Sequence, residues 1–176
     1  NGNIDNSNVE FGLVSADQLT GGTYRLGGFQ ANASQSGVVF KGDVKNSSQL
    51  DITSNFAISG DAGDGIRFER GVNGSVVNIE NNRNDFGGNG IIGLNNGVAF
   101  NGAIDNAQVT ISGNKGIDAI GAGADVNGVR FVGAIQNNST VKINGNTSIT
   151  STGDAVDFDG DVHSGSTVNI TGGVFN

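Results

Sequence analysis

Apolar residues alternate with polar ones in short runs, and the same runs return along the chain. Five segments share a small residue, a β-branched residue, any residue and then phenylalanine: Gly37-Val38-Val39-Phe40, Gly65-Ile66-Arg67-Phe68, Gly97-Val98-Ala99-Phe100, Gly128-Val129-Arg130-Phe131 and Ala155-Val156-Asp157-Phe158. The phenylalanines are 28, 32, 31 and 27 residues apart. Four residues after each stands Val44, Val72, Ile104, Ile135 or Val162. A second alternating run follows, built on Leu50/Ile52, Val77/Ile79, Val109/Ile111, Val141/Ile143 and Val168/Ile170. An earlier copy of this second run is Val9-Glu10-Phe11, preceded by Ile4-Asp5-Asn6, which parallels Ile104-Asp105-Asn106. A third, less regular side runs through Tyr24–Leu26, Phe56–Ile58, Ile91–Leu94, Ile117–Ile120 and Ile149.

Period-two alternation in short β-branched runs, punctuated by glycine, is the pattern of strands with one buried face. It excludes a helical solenoid. A recurring unit of this length with three short strands predicts one coil of an all-β, single-stranded parallel β-helix (β-solenoid), with about five to six coils of 27–32 residues. Coils stacked at about 4.8 Å give every strand partners above and below. The residues Phe40, Phe68, Phe100, Phe131 and Phe158 then form an internal aromatic column. Three residues beyond the second strand stand Asn55, Asn82, Asn114 and Asn146, with Gly173 in the last copy. Identical asparagines at the rung spacing predict an amide ladder, placed at a turn because asparagine accepts left-handed backbone. The whole of residues 1–176 reads as one β-helix domain excerpted from a longer rod, regular over 37–176, with an irregular, loop-rich coil at 12–36.

Composition sharpens the picture. The chain has 31 glycines and no proline, cysteine, methionine or tryptophan. Proline would remove a ladder donor from an interior rung. Without cysteine there is no disulfide framework, thiol nucleophile or cysteine-based metal site. A net charge of −8 with nine dispersed basic residues argues against nucleic acid as a partner. No apolar run reaches the roughly 18 residues of a membrane helix, so membrane insertion is not expected.

Candidate chemistry is sparse. Asp154, Asp157, Asp159 and Asp161 form the densest acidic stretch. Asp157 and Asp159 flank an inward phenylalanine, so both face outward about 7 Å apart. Such carboxylates are candidates for glycoside hydrolysis, and Asp157, Asp159 and Asp161 are weak candidates for Ca²⁺. The competing reading is a charge-balanced outer face, with Arg130 one rung from Asp157 and Lys41 opposite Glu69. His163, the only histidine, falls in a polar turn column with Lys45, Asn73, Asp105 and Gln136. Tyr24, the only tyrosine, lies in the irregular stretch. The G-x-G-x-x-G string Gly88–Gly93 lacks the following helix that dinucleotide binding needs. N-x-[ST] sequons begin at Asn32, Asn46, Asn73, Asn137, Asn138, Asn146 and Asn169 and permit glycosylation of exposed turns.

The recurring G-V-x-F-x-G-x-[VI] … [VL]-x-I-x-x-N pattern resembles repeat regions of large Gram-negative surface exoproteins: filamentous-haemagglutinin-like two-partner-secretion proteins and autotransporter passengers. It covers the chain from about residue 37 onward and again at 1–11. The resemblance implies a right-handed parallel β-helix rod, exported to the cell surface or the medium and serving adhesion, aggregation or toxin delivery, with a host- or bacterial-surface protein or glycan as partner. The secretion domain of two-partner exoproteins carries asparagine–proline motifs, absent here, so the resemblance points to interior rod. The expected function is a non-enzymatic, cofactor-free stalk segment of a secreted adhesin. The alternatives are a polysaccharide-binding or -degrading β-helix, of lyase, hydrolase or tailspike type, and a self-associating surface filament subunit.

Overall fold

The computed structural model describes residues 4–5, 8–11, 36–55, 57–83 and 90–176. The irregular segment at 12–35, Tyr24 and Phe56 lie outside the described residues. The described chain is a parallel β-solenoid whose architecture matches a right-handed parallel β-helix. Four complete turns separate Phe40 from Phe158, with partial turns on either side. All strand pairs are parallel and join residues one coil apart.

Each coil carries four strands, one more than the three expected. The phenylalanine face comprises Val38–Phe40, Ile66–Phe68, Val98–Phe100, Val129–Phe131 and Val156–Phe158. The valine or isoleucine four residues on is buried in the core at Val44, Val72, Ile104 and Ile135. It starts a two-residue strand of its own at Val44–Lys45, Val72–Asn73, Ile104–Asp105 and Ile135–Gln136, and Val162 makes a single bridge to Ile135. These join Ile4–Asp5 in a separate five-stranded sheet. The long face holds Asn8–Phe11, Gln49–Thr53, Val76–Glu80, Gln108–Ser112, Thr140–Asn144 and Thr167–Thr171 in six strands. The third face holds Ile58–Gly60, Ile91–Gly93, Ile117–Ala119, Ser148–Thr150 and Val174–Phe175.

The register follows the repeat. Phe40, Phe68, Phe100, Phe131 and Phe158 pair consecutively. Their ring centroids are 4.7, 4.5, 5.1 and 4.9 Å apart, the spacing of the rungs themselves. Columns of Leu50, Val77, Val109 and Val141, and of Ile52, Ile79, Ile111 and Ile143, fill the opposite wall and are fully buried. Between them the columns form one continuous core.

Corners are made where the backbone can turn left-handed. After the long face, Ser54, Asn81, Gly113, Gly145 and Gly172 have φ of 57°, 55°, 62°, 60° and 70°. The ladder asparagines follow by one residue, so the left-handed position is not theirs. They serve the corner by hydrogen bonding instead. Before the long face, Asn46, Gly74, Asn106 and Asn137 are likewise left-handed, consistent with the tolerance of asparagine and glycine for that region.

The glycine that opens each phenylalanine strand has a steric cause. A Cβ on Gly97 would lie 2.5 Å from Ile117 Cγ2 and 2.6 Å from the carbonyl oxygen of Gly128 on the next rung. Gly37, Gly65 and Gly128 face similar contacts. Ala155 stands in the last of these rungs.

Candidate functional site

Two kinds of polar arrangement exist: ladders inside the corners, and a cleft on the outside. The predicted amide ladder is present. Asn55 Nδ2 donates to Asn82 Oδ1, Asn82 Nδ2 to Asn114 Oδ1, and Asn114 Nδ2 to Asn146 Oδ1, each at 2.9 Å. Each acceptor also takes the backbone N–H of the preceding asparagine at 3.0 Å. The second amide hydrogen goes to a strand carbonyl, Ile52, Ile79 or Ile111. All four side chains are buried, and at Asn82, Asn114 and Asn146 both the amide oxygen and the amide nitrogen are bonded, as buried polar groups require.

A second ladder escaped the sequence reading because its residues differ. Ser36, Asp64, Asn96, Asn127 and Asp154 precede the small residue that opens each phenylalanine strand. Asn96 Nδ2 donates to Asp64 Oδ1 at 2.8 Å, and backbone N–H groups of Asp64, Asn96, Asn127 and Asp154 donate to the side chain one rung back. Its donors point back along the chain, opposite to those of the Asn55 ladder. A shared function, an oxygen acceptor at one corner, was hidden by the exchange of Ser, Asp and Asn. A serine column does the same at a third corner: the backbone N–H groups of Ser48, Ala107 and Ser139 donate to Ser75, Ser139 and Ser166 Oγ. These serines explain sequons. Asn46, Asn73 and Asn137 are followed two residues later by Ser48, Ser75 and Ser139, all buried, so corner and ladder together generate the motif. The sequon at Asn146 falls on a buried ladder residue. That at Asn32 lies outside the described residues.

Outside, two of the four sequence-predicted acids, Asp157 and Asp159, come together around one guanidinium. Arg130 pairs in register with Asp157. Its Nη2 lies 2.7 Å from Asp159 Oδ2, its Nε 3.4 Å from Asp157 Oδ2, and its Nη2 3.8 Å from Asp125 Oδ1. Burial pushes the Asp157 carboxyl above the ordinary aspartate range; the neighbouring charge of Asp159 adds to this, and Arg130 opposes it without prevailing. Burial works to lower the Arg130 pKa, but its hydrogen bond to Asp159 and the charges of Asp159, Asp157 and Asp125 hold it above the ordinary value. Asp161 is exposed and stands apart, its backbone carbonyl accepting from Ile135 N–H at 2.9 Å. Among the described residues no three carboxylates or histidines gather in a metal-holding group. The arrangement at Asp157 and Asp159 is an ion-pair network.

Glu69 pairs with Arg67 at 3.1 Å on its own strand, not with Lys41 across the rung as expected. His163 is exposed at the expected turn, its backbone N–H donating to the Ile135 carbonyl. Glycine stands two residues after phenylalanine at Gly42, Gly102, Gly133 and Gly160, but after Phe68 the glycine comes one residue later, and this Gly71 belongs to a different column. Arg70 occupies the corner position, where a Cβ on Gly102 would meet the Arg70 backbone at 2.3 Å. Of the Gly88–Gly93 string, Ile91–Gly93 is a strand of the third face, and Gly88 and Asn89 lie outside the described residues.

The cleft lies where loop length departs from the repeat. Connections from the third face to the phenylalanine face have five, four, nine and five residues, and the long one is 120–128. Its first residues are tied down by Ile120 N–H to Gly93 O and Gly121 N–H to Leu94 O, each at 2.9 Å. Thr152 on the next coil braces it, donating to the Gly121 carbonyl at 2.9 Å. Beside this loop is an open cleft of about 430 Å³ spanning three rungs. Asp64 and Arg67 line its first rung, Asn95, Asn96 and Asn101 its second, and Arg130 with Asp125 its third. Ala99 separates Arg67 from Arg130 in register. Arg67 Nε is buried without a hydrogen-bond partner among the described residues, a condition that costs about 1–3 kcal/mol for a typical donor. Asn95 and Asn101 are exposed, and their side chains bond to nothing else among the described residues. Sequence reasoning missed this cleft: the signal was the extra length of 120–128.

Compared with known proteins, the chain matches no family model, no curated protein and no solved structure. The fold is a β-solenoid, as the chain's own register and ladders show.

Proposed function

We propose that this chain is a stiff structural and binding segment of an exported bacterial surface adhesin, a rod that presents polar faces to a partner and performs no catalysis. The observation that supports this most is the unbroken register of the Phe column over four turns and of the Asn ladder over three. Such a stack resists bending because each rung is hydrogen-bonded and packed to its neighbours along the whole length. The repeat's resemblance to Gram-negative exoproteins supports the exported, surface-associated setting. The absence of cysteine is compatible with passage through an outer-membrane pore, since no disulfide forms beforehand. Asp157 and Asp159 share Arg130, which suits a structural face better than an acid–nucleophile pair.

The test has two parts. Fluorescently labelled protein should bind epithelial or bacterial cells saturably, and antibody should label intact source cells as strongly as permeabilised ones. Absence of saturable binding to both cell types removes the adhesin reading, and labelling only after permeabilisation removes the surface location. Release of reducing ends from polysaccharide that is lost in Asp157→Ala would establish the enzyme instead.

A further inference from the structure

The cleft beside loop 120–128 has chemistry that selects a ligand class. We infer that it is a binding site for a short neutral oligosaccharide, an assignment that rests on the binding-scaffold reading and names its ligand. Its volume, about 430 Å³, lies within the range of small-ligand sites.

Charge excludes the anionic classes. The charged lining residues are Asp64, Arg67, Asp125 and Arg130, two of each sign. Both arginines already have carboxylate partners: Arg67 has Glu69 at 3.1 Å and Asp64 at 3.7 Å, and Arg130 has Asp159 at 2.7 Å. No uncompensated cation remains for a phosphate, sulfate or uronate, and the net charge of −8 repels them. Apolar ligands fit no better, because the apolar side chains of the lining are only Ala122, Ala124 and Val126.

What the cleft offers is a set of uncommitted hydrogen-bonding groups. Asn95 and Asn101 project carboxamides that donate and accept at once, which matches the paired donor and acceptor character of a hydroxyl. Asn96, by contrast, is committed, its amide to Asp64 and its oxygen to the Asn127 N–H. The alanines and Val126 of the loop side provide a shallow apolar strip for the C–H face of a sugar ring. The span over three rungs suits an extended chain of sugar units.

The experiment probes the chain with an array of neutral gluco-, galacto- and manno-oligosaccharides beside heparin-type sulfated and galacturonate oligomers. The strongest neutral binder is then titrated calorimetrically. The double variant Asn95→Ala/Asn101→Ala removes two exposed side chains that bond to nothing else among the described residues, so its thermal midpoint should match the wild type. Lys142→Ala on the long face is the control. The expected result is neutral-glycan binding weakened at least tenfold in the double variant and unchanged in the control. Binding confined to sulfated or uronate oligomers, no glycan binding at all, or neutral binding indifferent to the double variant would each overturn the cleft assignment. Saturable cell binding that persists in those cases leaves the adhesin reading standing. Loss of cell binding altogether defeats that reading separately.

Discussion

Among single residues, the inner ladder asparagines, Asn82 and Asn114, each depend on the rung before and the rung after. Asn114 is bonded on both sides: Oδ1 accepts two N–H groups from Asn82, and Nδ2 donates to Asn146 and to the Ile79 carbonyl. Replacing it by alanine leaves buried groups of Asn82 and Ile79 without their partners. Each such group costs about 1–3 kcal/mol. Asn114→Ala is therefore expected to lose at least about 2 kcal/mol, read as a drop in thermal midpoint; an unchanged midpoint would show that water replaces the ladder. Asp157 gives a pH signature of opposite character. Its folded-state pKa is raised, so its charged form is the one the fold disfavours. Stability associated with it is present below the unfolded-state aspartate pKa and declines as pH rises through the raised folded value. Asp157→Asn keeps the oxygen that accepts from Asn127 Nδ2 and removes the charge. It should equal the wild type in strong acid and exceed it modestly at neutral pH. A variant less stable at neutral pH would mean that the Arg130 attraction outweighs burial and Asp159.

At the scale of the strand and its corner, small residues are set by the next rung. The open side of Gly97 is filled by Ile117 Cγ2 and the Gly128 carbonyl. Gly97→Ala forces a backbone shift in two coils and should cost about 1–3 kcal/mol, the ordinary penalty for overpacking. A midpoint at or above the wild type in thermal unfolding would show that the coils separate freely at that corner. Similar logic explains why spacing alone misplaces one corner glycine. Spacing from phenylalanine marks a column only while loops keep their length. At Arg70 the glycine is absent and Gly71 imitates it one residue late. The two-residue strands such as Val44–Lys45 escaped notice for a related reason. A pair of residues is too short to show alternation, and only the neighbouring rungs identify it as a strand.

For the whole molecule, contacts run from coil to coil, so stability is close to a sum over neighbouring rungs. Central rungs have neighbours on both sides. The final strands Thr167–Thr171 and Val174–Phe175 are largely exposed, Val174 at 54%. Amide exchange should therefore be slowest in Val98–Phe100, Gln108–Ser112 and Val129–Phe131 and fastest from about residue 160 onward. Uniform protection along the chain, measured by mass spectrometry, would instead indicate one all-or-none unit.

By itself the sequence determined the solenoid, the inward columns and the Asn55–Asn146 ladder. Each of these repeats once per rung, and a rung is one sequence period, so vertical neighbours in space are periodic neighbours in the chain. Which residues face inward follows from strand alternation alone. What only the tertiary structure decided is lateral. Arg130 gathers Asp125, Asp157 and Asp159 from the loop and the next coil, Asp64 bonds Asn96 in a ladder of unlike residues, and loop 120–128 walls a cleft against Asn95 and Asn101. Those relations depend on how far a loop of irregular length projects and where a long side chain reaches across the face. Neither quantity has a period, and so neither can be read from spacing.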